Sequence, residues 1–377
     1  MTKRRVLIFI DWFLPGDRAG GPVRSVANII DQLGDEFDFS VVTRNTDYMS
    51  DKPYPGLKAD EWNEQNGKRI YYFSSVRLTR AKMQKLIASE KFDLVYLNGM
   101  WSIPFTIWPL RILQEQRDKI ILGVRGMLAP SAMGIRSQKK KIFLLYARTR
   151  KFYNGIRFHV TTKQEANEVK QYFGSDPLTV LAPNLPRKAA MNFIVREPGR
   201  KQELQVVNIA RIAPEKNTLF ALEALSKCRV AVTAVFYGTI YDREYFEECK
   251  AVLVQLPSHI KVEFRNAIPS ERIIETISQF DLFFLPSRGE NFGHVIIESM
   301  QASVPVLISD KTPWRGMEEK RCGWDLPLVV DDFARKLEQI ASMDNSSYDE
   351  YRKGAFKLSS EYASDPSVIN ATRKMFS

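Results

Sequence analysis

The chain has 377 residues, 44% hydrophobic and 26% charged, too many for one ordinary core, so two domains of a globular protein are expected. No run of about 18 apolar residues occurs, which excludes a bilayer-spanning helix on hydropathy; three scattered cysteines, Cys228, Cys249 and Cys322, argue for a reducing cytoplasm and against a disulfide frame or zinc site. The net charge of +11 is uneven, with 31 Lys and Arg against 18 Asp and Glu in residues 1–190, an imbalance that favours acidic ligands or surfaces.

The N-terminal MTKRRVLIFIDWFLPGD has a charged and an apolar part, but Asp11 interrupts the run and no small-residue cleavage site follows. It reads as a first β-strand rather than a leader. Short apolar runs then alternate with helical patterns, the signature of a parallel α/β sheet. PVRSVANIIDQL reads as helix, with Pro22 as its first residue after Gly20 and Gly21; FDFSVVTR and KRIYYFSS read as strands. RAKMQKLIASE (helix), FDLVYLNG (strand), a helix after Pro104 and KIILGVRG (strand) follow.

No acidic residue lies between Asp118 and Glu165. That gap holds RSQKKKIFLLYARTRKFY, with Ile142, Leu145, Tyr146, Thr149, Phe152 and Tyr153 at helical spacing among Lys139, Lys140, Lys141, Arg148 and Lys151. The segment Arg136–Arg157 therefore reads either as an anionic-membrane contact or as a domain helix with a solvated basic face. FHVTT (strand), KQEANEVKQYF (helix) and LTVLAPN (strand) complete a first domain over residues 1–185, and the aperiodic, charged 186–204 reads as a linker.

The same alternation restarts over 205–362, from strand LQVVNIAR to helix SYDEYRKGAFKLSSEYA, and 363–377 carries a last helix. Two Rossmann-like units in series are expected to face each other across a deep cleft, with ligands at the carboxyl ends of the strands.

Three strand-to-helix stretches could carry chemistry there. In SRGENFGHVIIESM, residues 287–300, a helix starting near Gly293 offers unpaired N–H groups and a partial positive charge to a phosphate. Glu290 and Glu298 are placed to accept hydrogen bonds from polyol hydroxyls. In NIARIAPEKNTLF, residues 208–220, Arg211 leaves the strand, Lys216 precedes the helix and Asn217 reads as its N-cap. A guanidinium plus an ammonium suits a diphosphate and stabilises one as it departs. In LPGDRAGGPVRSV, Gly20-Gly21 permits close backbone approach and Arg24 sits on the following helix. The pattern is not G-x-G-x-x-G, so dinucleotide binding is disfavoured. Against each reading stands a plain one, of acids near a helix start and a cation pair on a surface.

Together, E-x7-E from Glu290 to Glu298 around FGHVIIE, R-x4-K from Arg211 to Lys216, the Gly20-Gly21 loop and VPVLISDKTPW resemble the family-4 retaining glycosyltransferases of the GT-B fold, of the bacterial surface-polysaccharide type. The resemblance implies that Gly20, Gly21, Arg211, Lys216, Glu290, Glu298 and the segment Asn291, Phe292, Gly293, His294 and Val295 bind a UDP- or GDP-sugar. It implies a base site near Arg265 and Asn266, and a last helix that crosses back to the first domain. Glu290, Arg211 and Lys216 would be catalytic. No metal and no cofactor are expected, the nucleotide-sugar being a co-substrate.

The acceptor, a glycan or lipid-linked glycan, would dock on the first domain, where Arg24, Asn98, Trp101 and Arg125 are candidates, with Trp12 and Trp108. Two departures stand out. Asn98 occupies a position where relatives often have His, and an amide cannot act as a general acid or base; Ser303 stands where relatives often have Gly, so that turn is expected to differ. The three histidines read as structural, though His294 is near enough to touch the sugar. The expected protein is cytoplasmic, peripheral at the inner membrane face, and does not bind nucleic acid. Two alternatives remain: a non-catalytic sugar-nucleotide sensor, and a glycoside hydrolase using Glu290 and Glu298, which leaves Arg211 and Lys216 without a task.

Overall fold

The computed structural model describes residues 3–129, 132–133, 137–174, 177–188, 192–195 and 203–377. Its chain divides into two units, Met1–Lys188 with Asp365–Ser377, and Ala189–Ser364. Most of the expected linker and Arg136, the first residue of the basic segment, lie outside the described residues.

The first unit contains β1 (Arg4–Phe9), α1 (Gly21–Leu33), β2 (Phe37–Arg44), β3 (Trp62–Gln65), β4 (Lys68–Phe73), α2 (Arg80–Ser89) and β5 (Leu94–Asn98). A π-helical turn, Ile103–Ile107, runs into α3 (Trp108–Ile112), then come β6 (Ile120–Gly123), α4 (Ser137–Thr149), β7 (Arg157–Val160), α5 (Lys163–Phe173) and β8 (Thr179–Leu181). The strands form one sheet in the order β3-β4-β2-β1-β5-β6-β7-β8, parallel throughout except β3 against β4. Central strands such as β5 are buried along their whole length, as expected where helices cover both faces. Pro22 is the second residue of α1, not the first; Gly21 opens the helix and Gly20, at φ 71°, holds the N-cap position.

The second unit runs β9 (Leu204–Ile209), α6 (Thr218–Ser226), β10 (Val232–Tyr237), α7 (Arg243–Leu253), β11 (Ile260–Arg265), α8 (Ile273–Ile277) and β12 (Leu282–Leu285). It continues with α9 (His294–Gln301), β13 (Val306–Ser309), β14 (Gly323–Leu326), α10 (Val330–Ser342) and α11 (Asn345–Ser364). All six strands are parallel, in the order β11-β10-β9-β12-β13-β14. The chain builds outward from β9 to β11, then returns to lay β12 on the other side of β9. The switch point of the sheet thus lies between β9 and β12, the place where open α/β sheets bind ligands.

The last helix, α12 (Pro366–Phe376), packs in the first unit. Phe376 sits against Phe37, Phe39 and Tyr96, and Arg373 donates to Glu36 at 2.7 Å. Arg157 and Arg4 donate to the carbonyls of Met375 and Phe376, satisfying acceptors that the end of a helix leaves open.

The expected altered turn at Ser303 does not occur. Ser303 adopts the left-handed conformation itself, φ 58°. Its hydroxyl accepts from the Ile194 amide at 3.2 Å, and its carbonyl accepts from Nε of the buried Arg352 at 3.2 Å. Those bonds hold a geometry that glycine would reach without strain.

Candidate functional site

At the switch point, β9 and β12 each end in a turn that feeds a helix. After β9 the chain passes Ala210, Arg211 and a 3-10 turn, Pro214–Lys216, before α6. After β12 it passes Pro286 to Gly293 before α9. The two turns are bonded to each other. Lys216 Nζ lies 2.6 Å from Glu290 Oε1, with both side chains largely buried. Asn217 Nδ2 donates to the Pro286 carbonyl at 3.1 Å, its Oδ1 accepts from Arg288 Nε at 3.1 Å, and the Arg288 amide donates to the Glu215 carbonyl at 2.9 Å.

The expected N-cap role of Asn217 is therefore corrected. The residue stands at the cap position of α6, but its backbone is left-handed, φ 61°, and its side chain makes no capping bond. The amide is spent on bridging the two turns instead. Asn tolerates the left-handed region better than most residues, which accounts for its presence there.

Gly293 holds the cap position of α9 at φ 75°, and a Cβ there would come within 2.7 Å of Ile296 Cδ1. Both the backbone angle and the nearby Ile296 side chain favour glycine. No side chain caps α9 and no acid lies in its first turn; Glu290, in the loop before it, has its Cγ 3.7 Å from where a Gly293 Cβ would stand. Phe292 packs on His294, Trp314 and Tyr362, and its carbonyl accepts from Trp314 Nε1 at 2.6 Å. Asn291 and Val295 are half-buried, and His294 is buried. Glu298 lies in the second turn of α9, only 3% exposed, a depth at which a carboxylate needs donors around it.

Arg211 is half-exposed beside Glu215 at 3.3 Å and over the Tyr241 ring at 5.3 Å. On the far side of β9, Arg265 is exposed, tied to Glu263 and to the Tyr237 hydroxyl at 2.8 Å, and Asn266 follows it in the open. Arg211, Lys216, Asn217, Glu290 and Gly293 thus come from two adjacent strand ends, with Arg265 and Asn266 two strands further along.

In the first unit, Gly20 and Gly21 stand at the start of α1, and Arg24 is half-buried on it. Asn98 and Arg125 meet: Asn98 Oδ1 accepts from Arg125 Nε at 2.8 Å. Arg125, left-handed at φ 58°, also donates to Asn184 Oδ1 at 2.7 Å and to the Tyr96 hydroxyl at 2.6 Å. The Tyr96 hydroxyl, accepting from Arg125, donates on to His159 Nδ1, leaving Nε2–H for the Ala182 carbonyl. Burial and the Arg125 charge depress His159 to a pKa of about 3, so it is a neutral packing residue. Trp101 packs on Phe143, Trp108 on the same core, and Trp12 edge-on to Tyr48. Among the described residues, Asn98 Nδ2 and Trp101 Nε1 are buried without a partner.

Several residues escaped the sequence reading. Arg288 was hidden because its bonds reach positions some seventy residues away. Tyr237 is the last residue of β10 and Tyr241 lies just beyond it, at a carboxyl edge that neighbours that of β9. Asp11, at the carboxyl end of β1, accepts from Ser102 Oγ at 2.8 Å and Arg44 at 3.4 Å; burial nonetheless raises its pKa.

Residues 192–357 match the profile of the family described as glycosyl transferases group 1. The second unit carries a group 1 glycosyltransferase domain. No curated protein matches the sequence. Among solved structures, HepE of Anabaena in complex with UDP and glucose is similar at 17% identity, covering 99% of this chain and 98% of that one with TM-score 0.73. Sucrose-phosphate synthase of Thermosynechococcus elongatus is similar at 15% identity over 99% and 98%, TM-score 0.75. WaaG, a glycosyltransferase involved in lipopolysaccharide biosynthesis, is similar at 14% over 98% of each chain, TM-score 0.66. At such identities the likeness is one of fold. The chain has the α/β GT-B fold of two parallel-sheet, Rossmann-like units, and the group 1 domain in it contains both bonded turns, Arg211 to Lys216 and Ser287 to Glu298.

Proposed function

We propose that the protein is a retaining glycosyltransferase that takes a sugar from a UDP- or GDP-sugar, with the donor on the group 1 domain. The observation that carries this reading is the Lys216–Glu290 contact of 2.6 Å, which joins a cation suited to a diphosphate to a carboxylate suited to sugar hydroxyls at the switch point of one sheet. In this reading Arg211, Lys216 and the N-terminus of α9 face the diphosphate, Glu290 the sugar, Glu298 the ribose, and Arg265 with Asn266 the base.

The mechanism follows from charge. The anomeric C–O bond breaks with its electrons going to the diphosphate, and the sugar passes through an oxocarbenium-like state. An acceptor hydroxyl forms the new bond on the same face and gives its proton to the departing phosphate oxygen. Lys216, Arg211 and the helix amides stabilise the leaving charge without a metal ion. Glu290 steers Lys216 while contacting the sugar. The acceptor, in this reading a glycan or lipid-linked glycan of bacterial surface polysaccharide synthesis made at the cytoplasmic membrane face, falls to the first unit, where Asn98, Trp101, Arg24 and Arg125 are its candidates. The fold likeness to WaaG supports this choice of acceptor only as an analogy.

A thermal-shift panel of UDP, GDP, ADP, NAD and sugar conjugates, with EDTA present, tests the reading. A ligand at 100 times its dissociation constant adds about 2.7 kcal/mol to the native state. Stabilisation by UDP or GDP that disappears in Lys216→Ala and Glu298→Ala, with sugar release or transfer on incubation, is the expected result. Binding without turnover would instead indicate a sensor. No response, or a response to NAD alone, would overturn the donor assignment.

A further inference from the structure

The basic segment folds as α4, and the structure splits its apolar residues into two sets. Leu144 and Ala147 are buried in the core of the first unit, and Phe143 packs on Trp101 and Phe152. Phe152 and Tyr153, just past the helix, are buried as well. Ile142, Leu145 and Tyr146 point the other way, 69%, 65% and 44% exposed, and Thr149 is exposed beyond them. At 3.6 residues per turn, 142, 145, 146 and 149 form one stripe on the side opposite Leu144 and Ala147. By the same geometry Lys141 and Arg148 fall on one flank of that stripe and Arg150 on the other, all three exposed.

A helix that anchors itself with one apolar side and shows a second to the outside needs something to cover the second. Isolated exposed aliphatics are ordinary, but a contiguous stripe bordered by charge of one sign is not. No acid occurs from residue 119 to 164 to offset that charge. A second copy of this chain docked stripe to stripe would oppose like charges. A free polyanion would satisfy the cations and leave the aliphatic stripe in water. An anionic lipid surface satisfies both, because the apolar side chains enter the acyl boundary while the flanking cations meet the headgroups.

We infer that α4 is a membrane-interface helix, and that it binds anionic bilayers by inserting Ile142, Leu145 and Tyr146 between its flanking cations. This concerns the first unit alone and stands whether or not the donor assignment does.

The test is co-sedimentation of the full chain with phosphatidylcholine vesicles and with vesicles containing about one-third phosphatidylglycerol, over a range of salt. Binding to the anionic vesicles only, weakened by salt, is expected. Ile142→Glu with Leu145→Glu should weaken it by about ten-fold or more, as should Lys141→Glu with Arg148→Glu. Val254→Glu, on an 87% exposed valine of the other unit, should not change it. All these positions are exposed, and an unchanged Tm confirms that each variant is folded. Three results would overturn the inference: no binding to anionic vesicles, binding lost in the charge variant but intact in the apolar one, or an apolar variant that changes only the sedimentation coefficient of a self-associating chain. Loss of UDP or GDP stabilisation in the apolar variant is not expected, which keeps this outcome separate from the donor assignment.

Discussion

Ser303 and His159 both depart from what their residue types prefer, and each is held by specific bonds. Ser303 keeps a left-handed backbone because the Ile194 amide and the buried Arg352 both bond to it; the sequence showed the serine but not a partner that lies 49 residues away. His159 is a buried imidazole kept neutral, with a folded pKa of about 3 against an ordinary value of 6.5. The unfolded chain takes up this proton first, so the contribution is fully present above about pH 6.5 and is lost as the pH falls toward 3. Within that window the loss approaches about 1.4 kcal/mol per pH unit. Urea titrations followed by hydrogen exchange in the first unit should show this slope between pH 6 and 5, and His159→Gln should reduce it by about 1 kcal/mol per unit. An equal slope in both proteins would mean that the imidazole is not the group responsible.

Among the elements, those with a clear apolar run were legible and those without one were not. Strands β9 and β12 announce themselves as LQVVNI and LFFL. β3, reading WNEQ, is an edge strand with no alternation, and β14, GWDL, is too short to carry a period. The orientation of α4 was beyond periodicity alone, since an apolar stripe reads the same whether it faces a core or a bilayer. The pairing of the two site turns was equally hidden. Spacing placed Arg211, Lys216, Glu290 and Glu298 at strand ends, whereas the Asn217 bridge depends on β9 and β12 being neighbours. Asn217→Ala removes two bonds between the turns and puts a less tolerant residue at φ 61°. It should cost about 2–3 kcal/mol in urea unfolding and weaken UDP or GDP stabilisation, whereas Asn217→Gly should recover only the backbone share. A full recovery by glycine would show that the bridge contributes nothing.

Over the whole molecule, the alternation of strand and helix was enough to read two parallel α/β units, because their buried strands are nearly continuous apolar runs. The destination of the last helix came from the resemblance, since nothing in SVINATRKMF says which surface Phe376 meets. That residue closes a cluster with Phe37, Phe39 and Tyr96 in the first unit. Phe376→Ala should destabilise this unit by about 3–5 kcal/mol. Hydrogen exchange, which resolves the units where one melting curve does not, should show faster exchange in β1, β2 and β5 and little change in β9 to β13. Uniform acceleration of both sheets would contradict the division at Ser364 and Asp365.

The first unit draws its residues from both ends of the chain, Met1–Lys188 and Asp365–Ser377. A ribosome adding about 5–20 residues per second emits all of the second unit before it delivers Phe376 to the partners waiting on β2 and β5. The order of completion on the ribosome is therefore the reverse of the order of synthesis. The Ala189–Ser364 unit is contiguous and has all its strands in hand first, while the unit that holds β1 stays open until the residues of α12 have followed.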